Sequence, residues 1–460
     1  MQTPSSRLQN TLLIAALAGS IMLAALGISI ATVALPSLAR AFSTDVQAVQ
    51  WVVLSYLLTV TAAIVVVARL GDIHGNRRVL VVGVALFTLA SAGCALAPGL
   101  GWLITGRVVQ GLGAAILMSL PLSMAKALVA KERLGAAMGL LGTLSAVGTA
   151  LGPALGGALV GVYGWRSVFA LLTLCGVGLL ALLLSGLFKA ESTGPSACRI
   201  DWAGSVWLST ALAGLGLSAA GGRLGVRVQP WMLMTLAAVA LLMFIRTELT
   251  VANPLVPVAL VRGRVIALSL SMNLLVGMLM MATLVVGPFF LSFGLGLSDA
   301  ETGLVMAAGP IAAALSGVPA GRAMDRFGAD RTLMAGLLLT FVGLVAFATL
   351  APLVGVRGYV LALLLMTPGF QLFLAANNTL VMVQADPEHQ GLLAGLLGLS
   401  RNLGLIAGAS LPPLLFTSLL GQHALADSTA PVIGHAFHVT FLAAASLAVL
   451  ALLLGALKKA

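Results

Sequence analysis

The chain has 460 residues, of which 60% are hydrophobic and only 8% charged, and its mean hydropathy is +1.11. A soluble domain carries roughly 25% charged residues, so this composition excludes soluble enzymes and ordinary nucleic-acid binders and predicts an integral membrane protein. Net charge is +11, and its meaning depends on where the charges fall; Cys94, Cys175 and Cys198 are too scattered for a disulfide framework or a metal site.

The first apolar run, Thr11–Pro36, carries no charge and is long enough to span a bilayer; it exceeds a signal-peptide core and reads as a retained helix. Runs at Val46–Val67, Val79–Ala97, Gly101–Ala125, Gly135–Tyr163 and Val168–Phe188 follow, each bounded by charged or turn residues. Two more fit at Trp202–Ala220 and Gln229–Ile245. A second set then occupies Val265–Leu291, Thr302–Gly321, Thr332–Leu353, Gly358–Val383, Gly391–Leu420 and His435–Leu457. The expectation is an all-α integral membrane fold of about fourteen transmembrane helices, without the short alternating segments of a barrel.

With both termini on one side of the membrane, that side receives most of the Lys and Arg residues, among them Arg69, Arg77, Arg78, Lys126, Lys131 and Arg133. The other side holds Arg40, Arg166, Arg223, Arg227 and Arg357. The positive-inside rule makes the termini cytoplasmic. The basicity is therefore a topology signal and not a nucleic-acid footprint.

The sequence also repeats. Ala68–Gly75 returns as Gly321–Gly328, and Gly139–Gly142 returns as Gly395–Gly398 at almost the same separation; Gly113, Gly148 and Gly152 then fall on Gly369, Gly404 and Gly408. An even number of helices lies between copies, which predicts a parallel repeat with a pseudo-twofold axis along the membrane normal. Residues 1–190 form one six-helix bundle on this reading, 191–264 two inserted linker helices, and 265–460 the second bundle.

Asp72 and Asp325 sit where an apolar run meets a basic cluster, and a carboxylate beside Arg77 can latch neighbouring helices in one state of a cycle or simply end a helix in water. Arg107 lies inside an apolar run, at a cost of order 3 kcal/mol, so it requires a partner or a cavity unless it snorkels to an interface. Gln110 and Gly111 share its helix face. Arg401 is similarly deep, flanked by Ser400 and Asn402, and replaces Ser145 of the first copy. Gly148, Gly152 and Gly156 form a small-residue stripe interrupted by Pro153, which suits either a bend at a gate or static packing.

Together these motifs resemble the major facilitator superfamily, specifically its fourteen-helix drug:proton antiporter family. Leu70, Asp72, Gly75, Arg77 and Leu80 are similar to the first cytoplasmic-loop signature, with Ala68 and Ile73 departing from the usual glycine and arginine. Arg107, Gln110, Gly111 and Gly113 look like the fourth-helix signature that the family associates with proton transfer, and Gly148–Gly157 resembles the antiporter signature of the fifth helix. One departure is chemical: the family carries an aspartate in its first helix, and this chain has Gly27 there.

The resemblance implies a secondary active transporter, not an enzyme, exporting amphipathic drugs or metabolites across the inner membrane in exchange for protons. Asp72, Arg77, Arg107, Asp325, Gly152 and Pro153 are the proton-coupling or gating candidates. Ser29, Thr32, Gln110, Asn273, Gln371, Asn377, Asn378 and Arg401 are the expected cavity contacts. A soft wall of Met278, Met280, Met281, Phe289 and Phe290 suits a promiscuous site. Protons, membrane lipid and an amphipathic substrate are the implied partners, with a periplasmic adaptor and outer-membrane channel as further ones; no cofactor, metal or nucleic acid is implied. Without a membrane carboxylate, two deep arginines favour a neutral or weakly acidic guest, and a dedicated exporter or facilitator of one such metabolite, without proton coupling, is the alternative.

Overall fold

The computed structural model describes residues 4–128, 134–185, 202–219, 230–250, 263–383, 390–420, 425 and 428–458. Among these, every regular element is helical. In chain order they are α1 (Pro4–Val33), α2 (Leu35–Ala41), α3 (Val46–Val49), α4 (Trp51–His74), α5 (Asn76–Ala95), α6 (Leu100–Leu128), α7 (Leu134–Tyr163), α8 (Arg166–Leu184), α9 (Trp202–Ala219) and α10 (Pro230–Thr250). Then follow α11 (Arg264–Phe289), a π-helical turn Phe290–Gly294, α12 (Asp299–Met306), α13 (Ala308–Phe327), α14 (Ala329–Val354), α15 (Val356–Val383), α16 (Gln390–Leu419) and α17 (Ala430–Leu457).

Twelve candidate membrane spans are found among the described residues, fewer than the expected fourteen. The difference lies in two helices. In α7 the described apolar stretch is the shorter Val147–Tyr163, and the 18 residues of α9 are diluted by Ser205, Ser209, Thr210 and several glycines. Large apolar side chains such as Leu89 (72% exposed), Leu315 (72%) and Leu353 (80%) lie on the outer faces of the spanning helices, where lipid is their natural solvent.

The helices gather into two compact units, one of residues 1–34, 51–215 and 234–247, the other of 35–50, 216–233 and 248–460. Within the first, α1 packs on α7, α6 takes both α4 and α5, and α8 covers α5. Within the second, α11 packs on α16, α15 takes both α13 and α14, and α17 covers α14. The two sets of pairings are the same in chain order, which is the repeat of the sequence expressed as packing.

Glycine sets the closest of these contacts. A Cβ on Gly148 would lie 2.5 Å from the Met22 carbonyl, and one on Gly152 2.7 Å from the Ile30 nitrogen. In the second unit Gly404 and Gly408 press still more closely on the carbonyls of Leu274 and Met278. Gly113 of α6 against α5 and Gly369 of α15 against α14 repeat the arrangement, with main-chain atoms of Phe87 and Thr340 both 2.7 Å from the position a Cβ would take. Such crossings bring backbones together where lipid gives no hydrophobic drive for association. Gly75 (φ 89°) and Gly328 (φ 81°) turn the chain between α4 and α5 and between α13 and α14, in a region that only glycine enters at low cost.

Candidate substrate and coupling site

The first unit holds a fully enclosed polar cluster built around α6. Gly111 lets α4 approach so closely that a Cβ would stand 2.9 Å from the Tyr56 carbonyl, and Gly113 does the same for α5. Arg107, one turn earlier, is thereby sealed at 0% exposure. Its Nε donates to the Val52 carbonyl at 2.7 Å and its Nη1 to Gln110 Oε1 at 2.6 Å. The guanidinium carbon stands 4.1 Å over the Tyr56 ring, a cation–π contact that is worth more once desolvated. Gln110 passes the network on, donating through Nε2 to Ser91 Oγ at 2.6 Å, and Ser91 donates to the Phe87 carbonyl at 2.7 Å. Nη2 of Arg107 is buried without an acceptor among the described residues. A dipole, an amide and a ring thus solvate this charge, and none of these is a carboxylate.

Gly27 borders the same cluster. The Tyr56 hydroxyl donates to the Ala24 carbonyl at 2.8 Å, and a Cβ on Gly27 would meet that hydroxyl at 3.1 Å and Phe87 Cζ at 3.2 Å. The space an acid would need is already filled by Tyr56 and Phe87.

Ser29 and Thr32, expected as cavity contacts, are both 0% exposed. Thr32 donates to the Ser29 carbonyl at 2.6 Å, and Ser29 reaches the Gly148 carbonyl at 3.5 Å. They sit inside the α1–α7 contact, where Gly152 presses directly on Ser29, and Pro153 is buried beside it. Of the latch residues, the side chain of Asp72 lies outside those described. Arg77 donates to the Leu183 carbonyl at 3.4 Å, its Nε is buried without a partner among the described residues, and Asp325 is exposed.

In the second unit, part of the expected polar set is used to join helices. Asn273 Nδ2 donates to the Leu397 carbonyl at 2.8 Å, Asn377 Nδ2 to the Ser269 carbonyl at 3.4 Å, and Ser400 to the Leu270 carbonyl at 2.5 Å. Gln371 and Arg401 are partly exposed and Asn378 is exposed. Met278 and Met280 are partly exposed, whereas Met281, Phe289 and Phe290 are buried in packing.

Several contacts of these clusters carried no signal in the sequence. Tyr56 and Ser91 belong to no motif, and their roles follow from helix pairing alone. The same holds for a second cluster in which Arg40 donates to Ser292 Oγ at 2.8 Å and pairs with Asp299, while Ser37 also donates to Asp299. Arg40 lies over the Phe293 ring, and nearby Gln47 donates to Thr417 Oγ1 at 2.9 Å. The only readable trace of this cluster is the Ser298–Glu301 capping box that starts α12 and fixes Asp299 in its first turn.

Known proteins resemble the chain along most of its length. The family profile described as Major Facilitator Superfamily matches residues 17–289 and 266–459. The protein named "Uncharacterized transporter YebQ" from Escherichia coli is 30% identical, covering 94% of this chain and 93% of that one. "Multidrug resistance protein Stp" from Mycobacterium tuberculosis is 32% identical over 82% of this chain and 71% of its own. Among solved structures, a crystal structure of the peptide transporter POT superposes with a TM-score of 0.71 at 13% identity, covering 97% of this chain and 94% of that one; it shares the fold.

Proposed function

Because the chain belongs to the major facilitator superfamily, we propose that it is a secondary active efflux transporter, exporting amphipathic drugs or metabolites by alternating access in exchange for protons. The likeness to a relative named for multidrug resistance, over 82% of this chain, carries the reading. Glycine-locked crossings resist sliding, so whole bundles and not single helices carry the motion of transport. Asp72 with Arg77, and Asp325 in the second copy, act as latches broken once per cycle. Gly152 and Pro153 hold α7 against α1 throughout. With α7 and α9 spanning as well, the chain is a fourteen-helix member of the drug:proton antiporter family, in the inner membrane with cytoplasmic termini.

One observation favours the second reading, a dedicated exporter or facilitator without proton coupling. No carboxylate stands among the contacts of Arg107 with described residues, and glycine occupies position 27. Transport of an amphipathic dye into everted vesicles decides between them. Antiport predicts that collapsing the proton gradient lowers the initial rate, and an unchanged rate identifies a facilitator.

A further inference from the structure

The two deep arginines are in opposite states. Arg107 is sealed, and two of its nitrogens are committed to protein acceptors. Arg401 is partly exposed, and its side chain forms neither a hydrogen bond nor an ion pair with any described residue. Its depth is fixed by packing: the Arg401 carbonyl lies 2.9 Å from where a Cβ on Gly277 would stand, and Gly277 is midway along the 26 residues of α11. At 1.5 Å per residue that places its main chain about 20 Å from either end of that helix. Gln371, Asn378 and Asn402 are also at least partly exposed and without a hydrogen bond among the described residues. Asn273, Asn377 and Ser400 already bond the backbones of the neighbouring helices. One polar set therefore builds the unit, and another is left unspent.

A guanidinium offers five N–H donors and no acceptor. Inside an apolar span those donors cannot be left to lipid. We propose that Arg401 receives the anionic group of the substrate, so that the preferred guests are amphiphiles with one carboxylate or phenolate on an apolar body. Arg107, with two of its nitrogens engaged and its surface closed, plays no part in that recognition. This proposal rests on the transport reading above and adds the charge class of the guest and the residue that selects it.

A matched series tests it: pyrenebutyrate, pyrenebutanol and pyrenebutylammonium share one apolar body and differ in charge. Binding to the full chain in nanodiscs is followed by energy transfer from tryptophan, with empty nanodiscs subtracted. Wild type should prefer the butyrate. Arg401→Gln should weaken butyrate binding at least about tenfold, the loss of one charge-assisted contact, while leaving butanol binding unchanged, and Arg401→Lys should keep most of the preference. Equal weakening of all three probes would reduce Arg401 to a structural residue, and the absence of a butyrate preference in wild type would overturn the proposal outright. Export of the same probes from cells is a separate arm. If wild type exports none of them yet binds the butyrate through Arg401, the export reading fails and the recognition site stands.

Discussion

Replacing Gln110 by leucine probes the enclosed cluster directly. Leucine is close in volume, so the packing of α6 against α4 and α5 changes little, and the effect is mainly polar. The variant removes the acceptor 2.6 Å from Arg107 Nη1, and Nη2 already lacks one among the described residues. The guanidinium is then left with the Val52 carbonyl and the Tyr56 face. A hydrogen bond to a charged group is worth about 1.5–3 kcal/mol, and stranding the freed donor adds to the loss, so Gln110→Leu should cost about 2–4 kcal/mol. Ser91 keeps its own bond to the Phe87 carbonyl and contributes little. Removing the charge as well should reverse most of the damage. The double variant Arg107→Met, Gln110→Leu should therefore show a coupling energy of at least about 1.5 kcal/mol in a double-mutant cycle. Unfolding of the purified protein in mixed micelles, titrated with denaturing detergent and followed by tryptophan fluorescence, provides the four free energies. Additivity within about 0.5 kcal/mol would mean that Gln110 does not solvate the arginine, and the account of this cluster would fail.

Three further outcomes are expected. Gly408→Ala drives a methyl into the Met278 carbonyl and should cost about 1–3 kcal/mol, whereas Gly398→Ala, with nothing within 4 Å, should be neutral or stabilising; equal melting temperatures for the two variants would contradict the close α11–α16 crossing. Gly27→Asp must displace Tyr56 or Phe87, so folded yield should fall, and the surviving protein should export ethidium better than wild type; normal yield with unchanged dye preference would show that position 27 is remote from both cluster and substrate. Alkaline phosphatase fused to either terminus should be inactive and green fluorescent protein bright, and active phosphatase would reverse the assigned orientation.

What the sequence made legible was what depends on spacing along one helix. Arg107 and Gln110 are three residues apart and do bond to each other, and the stripe Gly148, Gly152 does mark a close crossing, as do its copies Gly404 and Gly408. Gly75 and Gly328 turn the chain where the repeat placed them. The unread part depends on contacts between distant segments. Nothing in the neighbourhood of Tyr56 marks it as the ring beneath an arginine, and nothing around Arg40 announces Asp299. The same limit explains why Arg107 and Arg401, both written as arginines in apolar runs, end in different environments. Hydropathy gives depth, and the closeness of the surrounding helices, which for Arg107 is set by Gly111 and Gly113 of its own helix, decides whether a charge is closed in.

The segment Leu35–Gln50 leaves α1 and re-enters at α4, both in the first unit, yet it packs with the second. Arg40 meets Ser292 and Asp299, which lie 252 and 259 residues further along, and Gln47 meets Thr417, 370 residues further along. At a synthesis rate of roughly 5–20 residues per second, these side chains wait on the order of 10–70 s for their partners to be made. Until then the first hairpin is inserted with a bare tip, and of the side chains that hold Arg40 only the neighbouring Ser37 is present. Closure of that tip is therefore a late event in biogenesis. A nascent chain arrested before Asp299 emerges should have a tip that proteases can cut, and release of the full chain should protect it.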